Sequence, residues 1–108
     1  MKILALDLGK FNTMCCFFDT KTRKAEFLTA ATDRHYLSTI FKKRKVDLVV
    51  MEACGPSGWI NDLAVSHGLK TLVCSTNEDA WKWSNVKRKT DKDDALKLAR
   101  MAAMNELQ

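Results

Sequence analysis

The sequence predicts an α/β fold in which a mixed sheet of five strands carries helices packed on it. Short apolar runs of strand length come first, and segments with the apolar spacing of a helix then separate the later runs. The first three runs have short connections, which favours an antiparallel meander. Helices between the later runs require parallel crossovers, so two parallel strands extend the sheet. The predicted order is β-β-β-α-β-α-β-α.

The three strands of the meander are predicted at residues 2–9, 13–20 and 25–30. The first, KILALDLG, is apolar on both alternating faces, which is typical of a strand buried on both sides, and Gly9 marks the turn after it. The second is rich in aromatic residues and cysteines. The polar segment KTRK, 21–24, is predicted to be the hairpin connection to the third strand.

The first helix is predicted over residues 33–44, with Thr32 or Asp33 as its cap. Helical spacing gives it an apolar face that should pack on the sheet. That face comprises Tyr36, Leu37, Ile40 and Phe41, and the solvent side comprises Lys42, Lys43 and Arg44.

A buried strand is predicted at 47–53, a helix at 56–67 and a fifth strand at 69–75. Pro56 near the first turn and Gly68 past the end are typical helix boundaries. The inner face of this helix is predicted to comprise Trp59, Ile60, Leu63 and Ala64. A short helix or loop should follow at 77–84 and a final helix at about 91–105.

Length and composition indicate one ordinary globular domain covering residues 1–108. The chain is 46% apolar and 29% charged, with a net charge of +5 that fits a polyanionic partner such as nucleic acid. No CxxC pair is present, so the cysteines indicate reduced, buried thiols rather than zinc ligands. The N-terminal apolar run is too short for a signal peptide, and the expected location is the cytoplasm.

Two carboxylates lie in apolar strands, where a lone buried charge is costly. Asp7 shares a strand face with Ile3 and Ala5, and Glu52 shares one with Leu48 and Val50. The two converge if their strands are neighbours. The alternatives are exposure at a strand end, which suits Glu52, and an ion pair of Asp7 with a lysine such as Lys10.

Three further acids lie at the start of the final helix, within KTDKDDALKLA. Thr90 and Asp93 fit a capping box, and aspartates in a first turn complement the helix dipole. Capping does not explain why Asp91 and Asp94 share one helix face. With Asp7 and Glu52 they make four carboxylates, an oxygen-only ligand set that suits two Mg²⁺ or Mn²⁺ ions in phosphodiester chemistry.

A basic flank precedes this helix, and it is interleaved with Trp81 and Trp83. It fits a nucleic-acid backbone held beside the carboxylates, and it equally fits a solvated loop with two core tryptophans. Its predicted nucleic-acid-binding residues are Lys82, Lys87, Arg88 and Lys89.

The segments LALDLGK, MEACGPSGW and KTDKDDALKLA resemble the N-terminal domain of DEDD-type transposases of bacterial insertion sequences, which are related to the pilin-gene invertases. The resemblance covers nearly the whole chain, and its last motif is the most specific. It implies a ribonuclease H-like domain, similar to Holliday-junction resolvases, a fold that the order of elements also matches. At 75–77, where the family often has Asn-Pro, this chain has STN.

The resemblance also implies that Asp7, Glu52, Asp91 and Asp94 bind Mg²⁺ or Mn²⁺ for DNA strand cleavage and transfer, while Asp93 has no catalytic role. Family members are longer, with a C-terminal domain that carries a serine thought to be the nucleophile. Some members use an element-encoded RNA as a partner, and the full-length protein is expected to form homo-oligomers. The chain is therefore expected to be a transposase fragment with little or no activity of its own.

Two rival interpretations stay open. The segment DLGKFNT, 7–13, also resembles the first phosphate loop of actin-like and sugar-kinase ATPases, although that class needs a second lobe and more glycine-rich loops. The other rival is a non-catalytic module that docks nucleic acid. His35 and His67, on predicted helices, are expected to be packing or surface residues rather than ligands.

Overall fold

The computed structural model of the protein describes residues 1–74, 95, 96 and 98–103. The first part forms one mixed sheet with the strand order β3-β2-β1-β4-β5. Its elements are β1 (Lys2–Asp7), β2 (Asn12–Asp19), β3 (Ala25–Ala31), α1 (Arg34–Lys43), β4 (Leu48–Glu52), α2 (Ser57–Ser66) and β5 (Thr71–Cys74). β1, β2 and β3 are antiparallel neighbours, while β4 is parallel to both β1 and β5. The predicted mixed sheet and its element order are confirmed over this range.

The sheet is covered on both faces, which explains the continuous apolar runs of β1 and β4. One face, which includes Leu4 and Leu6 of β1, packs against α1 and α2. The opposite face, which includes Ile3 and Ala5, packs against the helical residues 95, 96 and 98–103. Small side chains of that helical segment lie fully in the core, so its backbone approaches the sheet closely: Ala95, Ala99, Ala102 and Ala103.

Helix boundaries follow their local chemistry. The Asp33 carboxylate accepts hydrogen bonds from the backbone N–H groups of His35 and Tyr36, which makes Asp33 the cap of α1 and leaves Thr32 free for another contact. α2 follows Pro56 and ends before Gly68, whose φ of 79° suits a residue without a side chain.

Two details of the predicted faces were wrong. Tyr36 was expected on the inner face of α1, but it lies in the first turn and 58% of it is exposed. Leu37 and Phe41 alone are fully buried on that helix. Arg44 was expected in solvent, yet it is partly covered and pairs with Glu26 at 2.8 Å. The Arg44–Glu26 bridge is not visible in the periodicity of one helix, because it depends on where β3 lies.

The cysteines divide into two pairs. Cys15 and Cys16 are buried in β2, as predicted, and burial raises the pKa of the Cys15 thiol to about 12 and that of Cys16 to about 11. Cys74 is half-buried. Cys54, which was expected to be buried, is exposed because β4 ends at Glu52 and the chain has already turned away from the sheet. None of these four cysteines, all of which lie within residues 1–74, forms a disulfide.

No helix within residues 1–74 or the helical segment near the C-terminus is long and apolar enough to cross a membrane.

Candidate metal and DNA site

The predicted pair of carboxylates lies where two parallel strands end side by side. Leu6 of β1 is the register partner of Met51 of β4, and the next residues along these strands are Asp7 and Glu52. Parallel neighbours are about 4.8 Å apart, so the two carboxylates start from adjacent backbone positions. Both are half-buried. We refer to this end of the sheet, with loops 8–11 and 53–56, as the carboxylate end.

Alternation along each strand places the two acids on the same face of the sheet. Asp7 follows Ile3 and Ala5 in phase, and Glu52 follows Leu48 and Val50 in phase. The four apolar residues belong to the core cluster that also contains Ala95, Leu98 and Ala99 of the C-terminal helical segment. The C-terminal helical segment, at residues 95, 96 and 98–103, therefore packs on the sheet face to which alternation assigns Asp7 and Glu52.

Asp91 and Asp94 themselves lie outside the described residues, as do Lys82, Lys87, Arg88 and Lys89 of the predicted basic flank. Within the described part of the chain, no group of three or more His, Cys, Asp or Glu residues forms a site for a metal ion. The described part of the site consists of two adjacent carboxylates, whose oxygen-only chemistry fits Mg²⁺ or Mn²⁺ and does not by itself complete a ligand set.

Cys54 is a residue of the carboxylate end that the sequence analysis did not assign to the site. Partial burial raises the pKa of its thiol, and the negative charges of Glu52 and Asp7 raise it further, while hydrogen bonding with Ser57 opposes them. Both carboxylates thus act on one exposed thiol. Its position two residues after Glu52, next to Gly55 and Pro56, was the sequence signal for a loop rather than a strand.

The loop after β4 is held by Ser57, the first residue of α2. Its hydroxyl donates to the Cys54 carbonyl at 2.8 Å and accepts from the Cys54 backbone N–H at 3.1 Å. Ser57 is buried and Cys54 is exposed, so this pair of hydrogen bonds is partly shielded from water. The reciprocal bonds fix the chain direction immediately after Glu52.

The hairpin between β1 and β2 is fixed by a second polar network. The Thr32 hydroxyl donates to the Gly9 carbonyl at 2.7 Å and lies 2.8 Å from the hydroxyl of buried Thr13. A Cβ on Gly9 would lie 2.4 Å from the Asn12 carbonyl oxygen, so this close turn requires glycine. The Lys10 ammonium lies over the Phe11 ring, 5.4 Å from its centroid.

The two histidines lie outside the carboxylate end. His35 lies exposed at the start of α1. His67 ends α2, where its Nε2 lies 2.8 Å from the Ser38 hydroxyl and its ring packs edge-on to Phe41. The hydrogen bond and the ring contact join α1 to α2, which matches the expected packing role.

Comparison with known proteins supports the fold. No protein-family model matches the sequence, and no curated protein matches it. Among solved structures, the chain is similar to the Fowlpox virus resolvase in its crystal structure with substrate Holliday junction DNA. The match has a TM-score of 0.51 and 15% identity, and it covers 86% of this chain and 67% of the resolvase chain. At this identity the likeness shows the fold alone: a mixed five-stranded α/β sheet of the ribonuclease H-like type.

Proposed function

We propose that this chain is a metal-dependent nuclease domain that cuts and joins DNA strands. The observation that carries the proposal is the convergence of Asp7 and Glu52 at the ends of adjacent parallel strands, on the face that the C-terminal helical segment covers. The structural likeness to a resolvase that acts on Holliday junction DNA adds support for a branched DNA substrate. The sequence resemblance to DEDD-type transposases gives the finer proposal, a cytoplasmic transposase or site-specific recombinase.

In this proposal Asp7, Glu52, Asp91 and Asp94 hold Mg²⁺ or Mn²⁺. When bound, the ions would supply Lewis-acid stabilisation of the charge that develops as a phosphodiester is displaced in line. The chain itself fixes the strand ends through the Ser57 and Thr32 hydrogen bonds, so Asp7 and Glu52 are held in place before DNA arrives. Lys82, Lys87, Arg88 and Lys89 are proposed to contact the DNA backbone beside them.

The first test is metal binding by Asp7→Asn and Glu52→Gln variants, because the isolated chain is expected to cut DNA slowly. Each variant removes one charged oxygen ligand while keeping its shape, so affinity for Mn²⁺ should fall at least about tenfold. Titration calorimetry with Mn²⁺ measures this. Asp62→Asn, an exposed acid on α2, is the matched control and should bind Mn²⁺ as the unmodified chain does.

Cleavage of a labelled four-way DNA junction in Mn²⁺ is the second readout. Any strand cleavage by the unmodified chain should disappear in Asp7→Asn. Unchanged Mn²⁺ affinity in both carboxylate variants, with their folds intact, would contradict the proposal. ATP binding without junction binding would instead favour the phosphate-loop interpretation of residues 7–13.

A further inference from the structure

The end of the sheet opposite the carboxylate end brings together three segments that are distant in sequence. The Thr20 N–H donates to the Met1 carbonyl at 2.9 Å, which joins the β2–β3 turn to the N-terminus. Lys2 and Asp47 exchange two hydrogen bonds, at 2.7 and 2.8 Å, which join β1 to the loop before β4. We call this surface, formed by Lys2, residues 19–26 and residues 42–47, the basic end.

Charge is concentrated at this end. The basic end contains eight Lys or Arg residues and three Asp or Glu residues, whereas the other residues of 1–74 contain three basic and four acidic side chains. The basic excess of this part of the chain therefore lies at one end of the sheet, and a polyanion approaching the domain would be attracted there.

The acids of the basic end are already engaged by the protein. Asp19 accepts a hydrogen bond from the Lys21 N–H at 2.9 Å, Asp47 accepts from the Lys2 N–H, and Glu26 pairs with Arg44. The Arg44–Glu26 pair is the one salt bridge that joins two residues of the described part of the chain. Within the described part of the chain, the ammonium groups of the basic end therefore have no carboxylate at ion-pair distance, and their positive charge faces solvent.

A groove of about 410 Å³ lies between the three segments. Its basic residues are Lys2, Lys24, Arg44 and Lys45, and Phe17 and Phe18 contribute aromatic surface. The Arg44 guanidinium lies 3.8 Å from the centroid of the Phe17 ring, and its bond to Glu26 holds it there. A second cavity of about 250 Å³ includes Lys2 and Lys45 again, together with Lys21, so one basic surface joins the two.

This surface is open and carries several lysines, so it suits an extended phosphate backbone better than a small ligand. Lysine ammonium groups bind phosphates as point charges without reading bases. β1 runs from Lys2 in the basic end to Asp7 in the carboxylate end, a distance of about 17 Å for five strand steps. That distance matches about five base pairs of duplex at about 3.4 Å each.

We propose that the basic end binds the phosphodiester backbone of DNA, about five base pairs away from the phosphate that the carboxylate end acts on. The choice of DNA rests on the proposed function. The site binds DNA without base specificity, and it holds a duplex arm while the carboxylates engage the strand to be cut. This contact is separate from the predicted flank at residues 82–89.

The test is binding of a labelled 20-base-pair duplex to the complete chain by fluorescence anisotropy, in EDTA so that the carboxylate end binds no metal. In Lys24→Glu/Lys45→Glu, two exposed attractive charges become repulsive, and affinity should fall roughly tenfold or more at low salt. Arg34→Glu reverses one charge rather than two, on an exposed residue outside the basic end, and should change affinity less than about twofold.

The salt dependence of duplex affinity in a milder variant gives a second measurement. Lys24→Gln/Lys45→Gln removes two phosphate contacts without adding repulsion, so the slope of log affinity against log salt should decrease in magnitude by about 1.8. Thermal unfolding of each variant verifies the fold, and the glutamine pair remains informative if the glutamate pair unfolds.

The inference is overturned if the double glutamate variant and the double glutamine variant both bind the duplex with the same affinity as the unmodified chain. Displacement of the duplex by polyglutamate at an equal concentration of charge would also overturn it, because that result would assign the surface to an acidic polypeptide. Asp7→Asn separates this inference from the proposed function. Loss of Mn²⁺ affinity in Asp7→Asn with duplex binding retained supports both, whereas duplex binding through the basic end together with unchanged Mn²⁺ affinity in Asp7→Asn and Glu52→Gln refutes only the proposed function.

Discussion

The two ends of the sheet are built by different means. At the carboxylate end, the hydroxyls of Thr32 and Ser57 hold the loops after β1 and β4, and a Cβ on Gly9 would clash with the Asn12 carbonyl oxygen. At the basic end, exposed lysines and a stacked arginine form the surface, and most of its side chains extend into solvent. If both proposals hold, stability is coupled to metal binding at the first end and separable from DNA binding at the second.

The largest effect on stability is expected from Gly9→Ala at the carboxylate end, and this variant tests the comparison of the two ends most directly. The added methyl group would lie 2.4 Å from the Asn12 carbonyl oxygen, so the turn must shift. We expect the free energy of unfolding to fall by about 1–3 kcal/mol, the usual cost of overpacking. Urea denaturation measures it, and Mn²⁺ affinity should fall as well because the turn follows Asp7.

Gly58→Ala is the matched control. Gly58 lies in α2, and a Cβ there would meet no atom within 4 Å. Alanine should therefore raise the free energy of unfolding by about 0.5–1 kcal/mol through its better helix propensity. If Gly9→Ala proves as harmless as Gly58→Ala, the carboxylate end is less constrained than its geometry indicates.

A smaller effect is expected from Arg44→Ala at the basic end, although it deletes a whole side chain. The variant loses the contact with Phe17 and a bridge to Glu26, which is 64% exposed, so unfolding should become easier by only about 1 kcal/mol. Arg44→Lys retains the charge but not the planar stacking. Relative to Arg44→Ala, it should restore duplex affinity more fully than the free energy of unfolding. A loss in urea denaturation larger than that of Gly9→Ala would reverse the comparison.

The smallest effect concerns the Cys54 thiol, which reports the charge of the carboxylate end. Glu52 and Asp7 raise its pKa, so they reduce the thiolate fraction at pH 8. Glu52→Gln should therefore speed alkylation of Cys54 by iodoacetamide, and Mn²⁺ should do the same in the unmodified chain by neutralising the acids. Asp62→Asn is the control. Mass spectrometry should find Cys15 and Cys16 unmodified, because burial keeps them protonated.

Within the described residues, prediction from the sequence succeeded where a pattern lies inside one element. The unbroken apolar run 3–6 predicted a strand buried on both faces, and the structure makes the strands of Asp7 and Glu52 neighbours, the condition under which alternation predicts that the two acids share a face. It failed for Cys54 and Tyr36, because their exposure depends on where β4 stops and on what lies opposite the first turn of α1. The ligand roles of Asp7, Glu52, Asp91 and Asp94 stay predictions.

By itself, the sequence determined the order of elements, their pairing as a meander extended by parallel strands, and the residue types available for oxygen ligation. These follow from hydrophobic periodicity and from the length of each connection. Only the tertiary structure decided that Leu6 and Met51 share a register, and that Lys2, the turn at 20–24 and the loop at 44–47 form one surface. Such proximities join residues about 20–45 positions apart, so strand order sets them and no local pattern encodes them.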